Sequence, residues 1–190
     1  ARPDSAAARF LAARVYSAAG MFRQARIEAE RAVALEPTSA GAHALLGVAL
    51  DSLGDHVAAE PHHRAAIRLA DGAAAWRNNL GFCLYLQGRF AEARDVYITA
   101  MSRDPDQPKI RNNLGFALAR LGQFEEARQH FLASGTRAEA ENNLGWAREQ
   151  SGDLSGARAS YQAAIEADPD LNRPRLNLAR LAGIAKEDVQ

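Results

Sequence analysis

Apolar residues along this chain recur at helical spacing rather than in strict alternation. Ala93, Tyr97 and Ala100 fall at i, i+4 and i+7, which places them on one face of a helix. The preceding stretch, Trp76–Gln87, has the same period and ends just before Gly88, a residue type that accepts the positive φ of a tight turn. The pattern therefore predicts two antiparallel helices joined by a short turn.

This helix pair recurs along the whole chain. Glycines at the predicted turns are spaced 34, 34, 34 and 30 residues apart, and an alanine follows each one five residues later. The glycines are Gly20, Gly54, Gly88, Gly122 and Gly152. Prolines that stop the second helix close three copies, at Pro37, Pro105 and Pro169. An isolated pair cannot bury its own apolar face, so we expect neighbouring pairs to stack.

The succession Asn-Leu-Gly, then Gly-x-Phe-x-x-Ala, then Pro resembles the tetratricopeptide repeat family. The resemblance covers essentially the whole chain. It implies an all-α, right-handed superhelical solenoid, formed by a single array over residues 1–190 of about five helix pairs and a C-terminal capping helix. The copies are predicted at 6–39, 40–73, 74–107, 108–137 and 138–171, with the capping helix at 172–183.

Three departures from the repeat carry structural expectations. The fourth copy has 30 residues and contains Gly135, so its second helix should be about one turn short. Pro61 falls inside the second helix of the second copy, where we expect a lost hydrogen bond and a kink. Asp71 and Gly72 replace the closing proline of that copy.

Composition and charge exclude several classes of protein. Apolar residues make up 47% of the chain, and the 23 basic residues balance the 23 acidic ones, unlike a nucleic-acid-binding protein. No apolar run approaches the ~20 residues that span a bilayer. The first residue is alanine rather than methionine, so we expect a fragment or a processed form. A signal peptide or a lipid anchor would then precede it.

The family resemblance implies an open groove lined by repeat positions 2, 5, 6, 9, 12 and 13 of the first helices. An asparagine amide there could donate to and accept from any peptide backbone, or it could join adjacent repeats instead. We favour peptide contact at position 6 and leave position 5 open. The predicted groove residues are Asn78, Asn79, Phe82, Tyr85, Lys109, Asn112, Asn113, Phe116, Asn142, Asn143, Trp146 and Asn177.

Large rings occupy position 9 of the last three copies. If they face the groove they form an apolar strip, and such exposed strips mark interaction sites. The alternative is that they pack against neighbouring first helices. We favour the groove for Phe82 and Phe116 and leave Trp146 open. The first two copies lack the asparagine pattern, since Leu11 and Leu45 stand at position 6.

Catalytic and metal-binding chemistry has weak support in the sequence. His56, Glu60 and His63 are spaced to share one helical face and could hold a metal, but two of them replace core rings of other copies. We favour core packing for both histidines and a buried, unreactive role for Cys83. No phosphate loop, nucleophile elbow or zinc-type cysteine pair occurs. The sequence predicts no enzyme, no cofactor and no metal.

These observations predict a protein–protein interaction scaffold that binds a peptide or helix of a partner. The segments Asn-Asn-Leu-Gly-Phe and Leu-Gln-Gly-Arg-Phe-Ala-Glu-Ala-Arg are similar to bacterial tetratricopeptide proteins of tight-adherence (Flp-type) pilus assembly. That resemblance implies a pilotin-like periplasmic lipoprotein, associated with the outer membrane, whose partner is a secretin or another pilus or secretion component. No nucleic-acid partner is expected, and membrane contact would come only through an N-terminal lipid anchor.

Two other functions remain open. The array could be a regulatory or substrate-recruiting module of a larger enzyme, with a cytoplasmic location as the alternative. It could also be a homo-oligomeric scaffold whose groove receives its own chain, although the tail from Lys186 to Gln190 is short and polar.

Overall fold

The computed structural model describes residues 5–70 and 74–187, and this part of the chain contains eleven α-helices and no strand. The predicted all-α fold of helix pairs is confirmed. Asp71, Gly72 and the end of the polar tail lie outside the described residues. The helices are α1 (Ala6–Ala18), α2 (Phe22–Leu35), α3 (Ala40–Ser52), α4 (His56–Leu69), α5 (Ala74–Leu86), α6 (Phe90–Arg103), α7 (Pro108–Arg120), α8 (Phe124–Leu132), α9 (Arg137–Gln150), α10 (Leu154–Ala167) and α11 (Asn172–Glu187).

A glycine in the left-handed region makes the turn between the two helices of each pair. The five φ values lie between +71° and +85°, a conformation that L side chains rarely adopt. The alanine five residues further on lies at the crossing of the two helices, where only a small side chain fits. These alanines are at most 1% exposed: Ala25, Ala59, Ala93, Ala127 and Ala157.

The chain divides into two compact units between Arg103 and Asp104. In the first unit, α1 to α6 form three antiparallel pairs, and α2 packs on α3 while α4 packs on α5. In the second unit, α7 to α10 form two pairs, with α8 packed on α9 and α10 on the capping helix α11. The first helices of neighbouring pairs also touch within each unit, α3 with α1 and α5, and α9 with α7 and α11. Their exposed faces are therefore adjacent.

A ring of the second helix packs directly on a glycine of the first helix in four of the pairs. A β-carbon at Gly81 would lie 2.6 Å from Cε1 of Tyr97, so the two helices approach more closely than any larger residue allows. The contact repeats in the other copies. The four pairs are Gly47 with His63, Gly81 with Tyr97, Gly115 with Phe131, and Gly145 with Tyr161.

The predicted irregularities have clear outcomes. Helix α8 has 9 residues where the other second helices have 14, so the expected shortening is confirmed, and it ends at Leu132, before Gly135. Helix α4 continues through Pro61 without interruption. The carbonyl that loses its donor there belongs to Val57, which is 75% exposed, so water can replace the missing N–H. The capping helix continues to Glu187, four residues beyond the predicted end.

Among residues 5–70 and 74–187, no helix combines the length and the apolar content that crossing a membrane requires.

Candidate functional site

A cleft of about 150 Å³ lies between the first helices α3 and α5 of the first unit. Helix α3 supplies Val48, Asp51 and Ser52, and α5 supplies Asn79 and Phe82. Phe82 is 44% exposed, a large fraction for a phenylalanine in a well-packed helical protein. The cleft thus combines apolar walls with a carboxylate, a hydroxyl and an amide, the usual composition of a binding surface.

The rings of the second unit are more enclosed. Phe116 is half-buried and contacts Phe131 and Trp146 edge to face, with ring centroids 4.8 Å and 5.3 Å away. Such contacts between the edge of one ring and the face of another are favourable. Phe116 is therefore partly covered by one core ring and one exposed ring, and its contact with a ligand in the groove stays a prediction. Trp146 keeps 37% of its surface exposed and covers the outer side of Phe116.

Asparagine amides join successive first helices in the second unit. Nδ2 of Asn143 donates to Oδ1 of Asn112 at 2.8 Å, and Nδ2 of Asn177 donates to Oδ1 of Asn142 at 3.0 Å. Each bond runs from position 6 of one copy to position 5 of the preceding copy. Asn142 is only 4% exposed, so its amide is part of the packing between copies. The bonds that the sequence left as an alternative are thus present, and peptide contact by the half-buried Asn143 and Asn177 stays a prediction.

The remaining predicted groove residues have different environments. Asn78 is buried, with 5% of its surface exposed, so the structure does not place it on an open face. Asn113 is half-buried, and so is Tyr85, whose ring lies edge to face on Phe90 at 5.2 Å. Lys109 is exposed at the start of α7. Burial of position 5 follows from the packing of neighbouring first helices, a contact that the position number alone did not reveal.

The bond between Asn112 and Asn143 should appear as a coupling energy in urea unfolding. We expect Asn112→Ala, Asn143→Ala and the double variant to give a coupling of about 1 kcal/mol, the net value of one hydrogen bond. The cycle cancels the gain in helix propensity that each alanine brings. The exposed Gln162 in α10 provides the control pair with Asn112, for which the coupling should be near zero. Equal couplings in the two cycles would contradict the bond.

A polar cluster lies inside the first unit, beneath the cleft. The carboxylate of Asp51 contacts two imidazoles, with Oδ1 2.9 Å from Nδ1 of His56 and Oδ2 2.8 Å from Nε2 of His63. Cys83 donates its thiol hydrogen to the His56 carbonyl at 3.2 Å. The predicted core positions of His63 and Cys83 are confirmed, since both have 0% exposure, whereas His56, also predicted in the core, is only half-buried.

Burial raises the pKa of the Cys83 thiol to about 12, and the negative charge of Asp51 adds to the shift. The pKa of His62, which lies beside this cluster, is lowered by burial and then by its neighbours His43 and His63. A thiol with so high a pKa is protonated at neutral pH and is a poor nucleophile. The cluster therefore offers no catalytic cysteine.

The three residues spaced along one face of α4, His56, Glu60 and His63, have different partners in the structure. The carboxylate of Glu60 binds Arg64 at 2.7 Å and Arg89 at 2.6 Å. It also accepts a hydrogen bond from Gln87. Glu60 thus pairs with two arginines, whereas His56 and His63 both contact Asp51.

Models of the tetratricopeptide repeat match residues 10–74, 72–134 and 138–171. The chain belongs to the tetratricopeptide repeat family. The matched segments agree with the helix pairs of both units, and the resemblance predicted from the sequence is confirmed at this level. Tetratricopeptide repeats form protein–protein interaction scaffolds that are generally non-catalytic.

Solved structures agree with a tetratricopeptide fold at low sequence identity. YrrB, a tetratricopeptide protein with an unusual peptide-binding site, is 19% identical with a TM-score of 0.71, over 93% of each chain. PilF of Pseudomonas aeruginosa is 23% identical with a TM-score of 0.69, over 96% of this chain and 85% of that one. PilW, a type IV pilus biogenesis factor, is 21% identical with a TM-score of 0.73, over 95% and 87%. No curated protein matches the chain in sequence.

The tetratricopeptide numbering explains which cleft residues the sequence missed. Val48, Asp51 and Ser52 occupy positions 9, 12 and 13 of the second copy, which are groove positions of the family. The asparagine pattern does not predict them, because that copy has Leu45 at position 6. Their positions in the repeat, which are groove positions of the family, are the feature of the sequence that predicts them.

Proposed function

We propose that this chain is a scaffold that binds an extended peptide or a helix of a partner protein on the exposed faces of its first helices. The observation that carries the proposal is the exposure of Phe82 at the wall of the cleft between α3 and α5. A phenylalanine in a protein–protein interface gains most of its binding energy when a partner covers it. The polar groups around it would fix the direction of the bound chain.

The cleft suits a peptide better than a small molecule. It is shallow and open, and its volume of about 150 Å³ is below the ~300–1,000 Å³ of common small-molecule pockets. Val48 and Phe82 could receive one apolar side chain, while Ser52 and Asn79 could bond the backbone on either side. An extended strand or one turn of helix satisfies both requirements.

The second unit offers its own apolar surface. Trp146 on α9 is 37% exposed, and Leu176 on α11 is 69% exposed. Leu176 stands at position 5 of the capping helix, where the preceding copies carry asparagine. Trp146 and Leu176 are both exposed apolar side chains that an amphipathic helix of a partner could cover.

We further propose that the partner belongs to a pilus or secretion machine, such as an outer-membrane secretin, and that the protein acts in the periplasm. Two observations support this proposal. The segments Asn-Asn-Leu-Gly-Phe and Leu-Gln-Gly-Arg-Phe-Ala-Glu-Ala-Arg of the third copy resemble tight-adherence pilus assembly proteins, and the chain shares its fold with PilF and PilW. Both neighbours are below 25% identical, so they support the fold and make the pilus role a hypothesis for experiment.

The test is a peptide array covering bacterial secretins and pilus assembly proteins, followed by fluorescence anisotropy on the peptides that bind. We expect Phe82→Ala to weaken binding at least about tenfold, since a hot-spot side chain costs ~2 kcal/mol or more when truncated. Ile98 is the matched control because it is 50% exposed but lies on the second helix α6. Ile98→Ala should leave the affinity unchanged.

Other outcomes would redirect the proposal. Equal loss of affinity in Phe82→Ala and Ile98→Ala would remove the cleft from the binding surface. A catalytic domain in the full-length gene product, together with an array that binds none of the peptides, would favour a recruiting module of an enzyme. A concentration-dependent mass in light scattering would favour a homo-oligomeric scaffold.

A further inference from the structure

Two buried residues of the first unit break the pattern of their own repeat. The position of the second helix that packs on a glycine of the first helix holds Tyr97, Phe131 and Tyr161 in the third, fourth and fifth copies. In the second copy it holds His63. The equivalent position on the first helix holds Val15 in the first copy and Ala49, Ala117 and Ala147 in the second, fourth and fifth copies, but Cys83 in the third. Each change replaces an inert core residue by one with a metal-binding atom.

The two departures meet at one carboxylate. Donor atoms of Asp51, His63 and Cys83 all lie within 4.8 Å of one another, although the three residues come from α3, α4 and α5. Independent substitutions in a core of this size would not be expected to converge on the same carboxylate. A common ligand explains the coincidence.

We propose that Asp51, His63 and Cys83 form a binding site for a divalent transition-metal ion of the zinc type. A thiolate, an imidazole and a carboxylate together suit borderline ions such as Zn²⁺ and Co²⁺, whereas Mg²⁺ and Ca²⁺ prefer oxygen ligands alone. Three protein ligands with a fourth position left for water are a common arrangement around zinc. Binding would release the thiol proton to solvent and leave Cys83 as a thiolate.

The distances allow this site after a small adjustment. Zinc bonds of about 2.0–2.3 Å place tetrahedral donors about 3.5 Å apart. The donor atoms lie within 4.8 Å of one another, so no pair would have to close by more than about 1.3 Å. His56 would hold the second carboxylate oxygen in place, as it does now at 2.9 Å. Nδ1 of His63 is buried with no hydrogen-bond partner among the described residues, so this ring has a nitrogen that no protein group uses.

An ion could reach the cluster through the cleft. Asp51 lines the cleft and is also the central member of the cluster, so one carboxylate joins the buried donors to the surface. The ion would tie the second copy, through α3 and α4, to the third copy, through α5. This inference does not depend on peptide binding by the same cleft.

The test is a Co²⁺ titration of the reduced, metal-free protein followed by absorption spectroscopy. We expect one equivalent to bind, with a thiolate-to-cobalt charge-transfer band in the near ultraviolet and tetrahedral bands in the visible, and Zn²⁺ should displace it. The absence of a charge-transfer band at saturating Co²⁺ would overturn the proposal.

Two variants restore the residues of other copies and should therefore fold. Cys83→Ala reproduces Ala49, and His63→Phe reproduces Phe131, so circular dichroism should match the wild type. We expect Cys83→Ala to abolish the charge-transfer band and each variant to weaken binding at least about 100-fold, since altered second-shell partners alone cost 10–100-fold.

A nearby histidine outside the cluster supplies the control. His62→Val reproduces Val96 of the next copy and should bind Co²⁺ as tightly as the wild type. A charge-transfer band that survives Cys83→Ala would refute the site, and so would loss of binding in His62→Val with retention in His63→Phe.

Discussion

Replacing Phe131 by alanine is expected to lower the free energy of unfolding by about 3–5 kcal/mol, the cost of deleting a fully buried ring. Phe131 has 0% exposure and is wedged between Gly115 and Phe116. Its helix α8 has only 9 residues, so few other apolar side chains anchor it. Removing the ring leaves a cavity that the short helix cannot fill by small shifts.

The measurement is urea unfolding followed by circular dichroism. Leu132, the next residue in α8, is 38% exposed and serves as the control, with an expected loss below about 1 kcal/mol for Leu132→Ala. Phe131→Leu keeps most of the volume and should fall between the two. Similar losses for Phe131→Ala and Leu132→Ala would show that the ring is not a main anchor of this pair.

Introducing one methyl group at Gly81 should cost about 1–3 kcal/mol through overpacking, against a gain of about 1 kcal/mol in helix propensity. The β-carbon of Gly81→Ala would lie 2.6 Å from Cε1 of Tyr97. Tyr97 is 1% exposed, so its ring cannot move aside without displacing the second helix. Net destabilisation is therefore expected in spite of the better helix former.

The capping helix provides the matched control for this glycine. A β-carbon at Gly183 would meet no atom within 4 Å, so Gly183→Ala should stabilise the protein by up to about 1 kcal/mol. The two substitutions are chemically identical and should have opposite signs in the same unfolding assay. Stabilisation by Gly81→Ala would show that the two helices are not in close contact at this point.

Much of the fold could be predicted because each repeat contains residues that mark where its helices end. A glycine that must adopt positive φ marks each turn, and helices begin at Ala6, Ala40, Ala74 and Pro108, where the sequence placed the copies. The end of the capping helix was placed four residues early. No proline or turn signal follows Gly183, so nothing in the sequence defined that end.

The candidate site was harder to predict because the position of a residue in a helix shows which face it is on but not which residues that face contacts. Asn112 and Asn143 were placed on a groove, and their amides prove to bond each other across two copies. Phe116 is predicted to face the groove, and the buried Phe131 and the partly exposed Trp146 both contact its ring edge to face. These outcomes depend on the spacing between neighbouring helices, which arises from packing and not from the period of one helix.

The cluster around Asp51 could not be predicted from spacing along one helix. Its members come from three helices, and His63 and Cys83 are 20 residues apart in the chain. The available signal was a comparison of equivalent positions between copies, which marks both residues as departures. Such a comparison identifies unusual residues, and only the packing of α3, α4 and α5 shows that they meet.

The amide bonds between copies bear on how such a protein can change over evolution. Each bond spans one copy, 31 residues from Asn112 to Asn143 and 35 from Asn142 to Asn177, and uses the same two positions at both junctions. Duplication or loss of one complete copy within this part of the gene would recreate the bond at the new junction. The protein could therefore gain or lose whole copies without a compensating mutation at the new junction between copies.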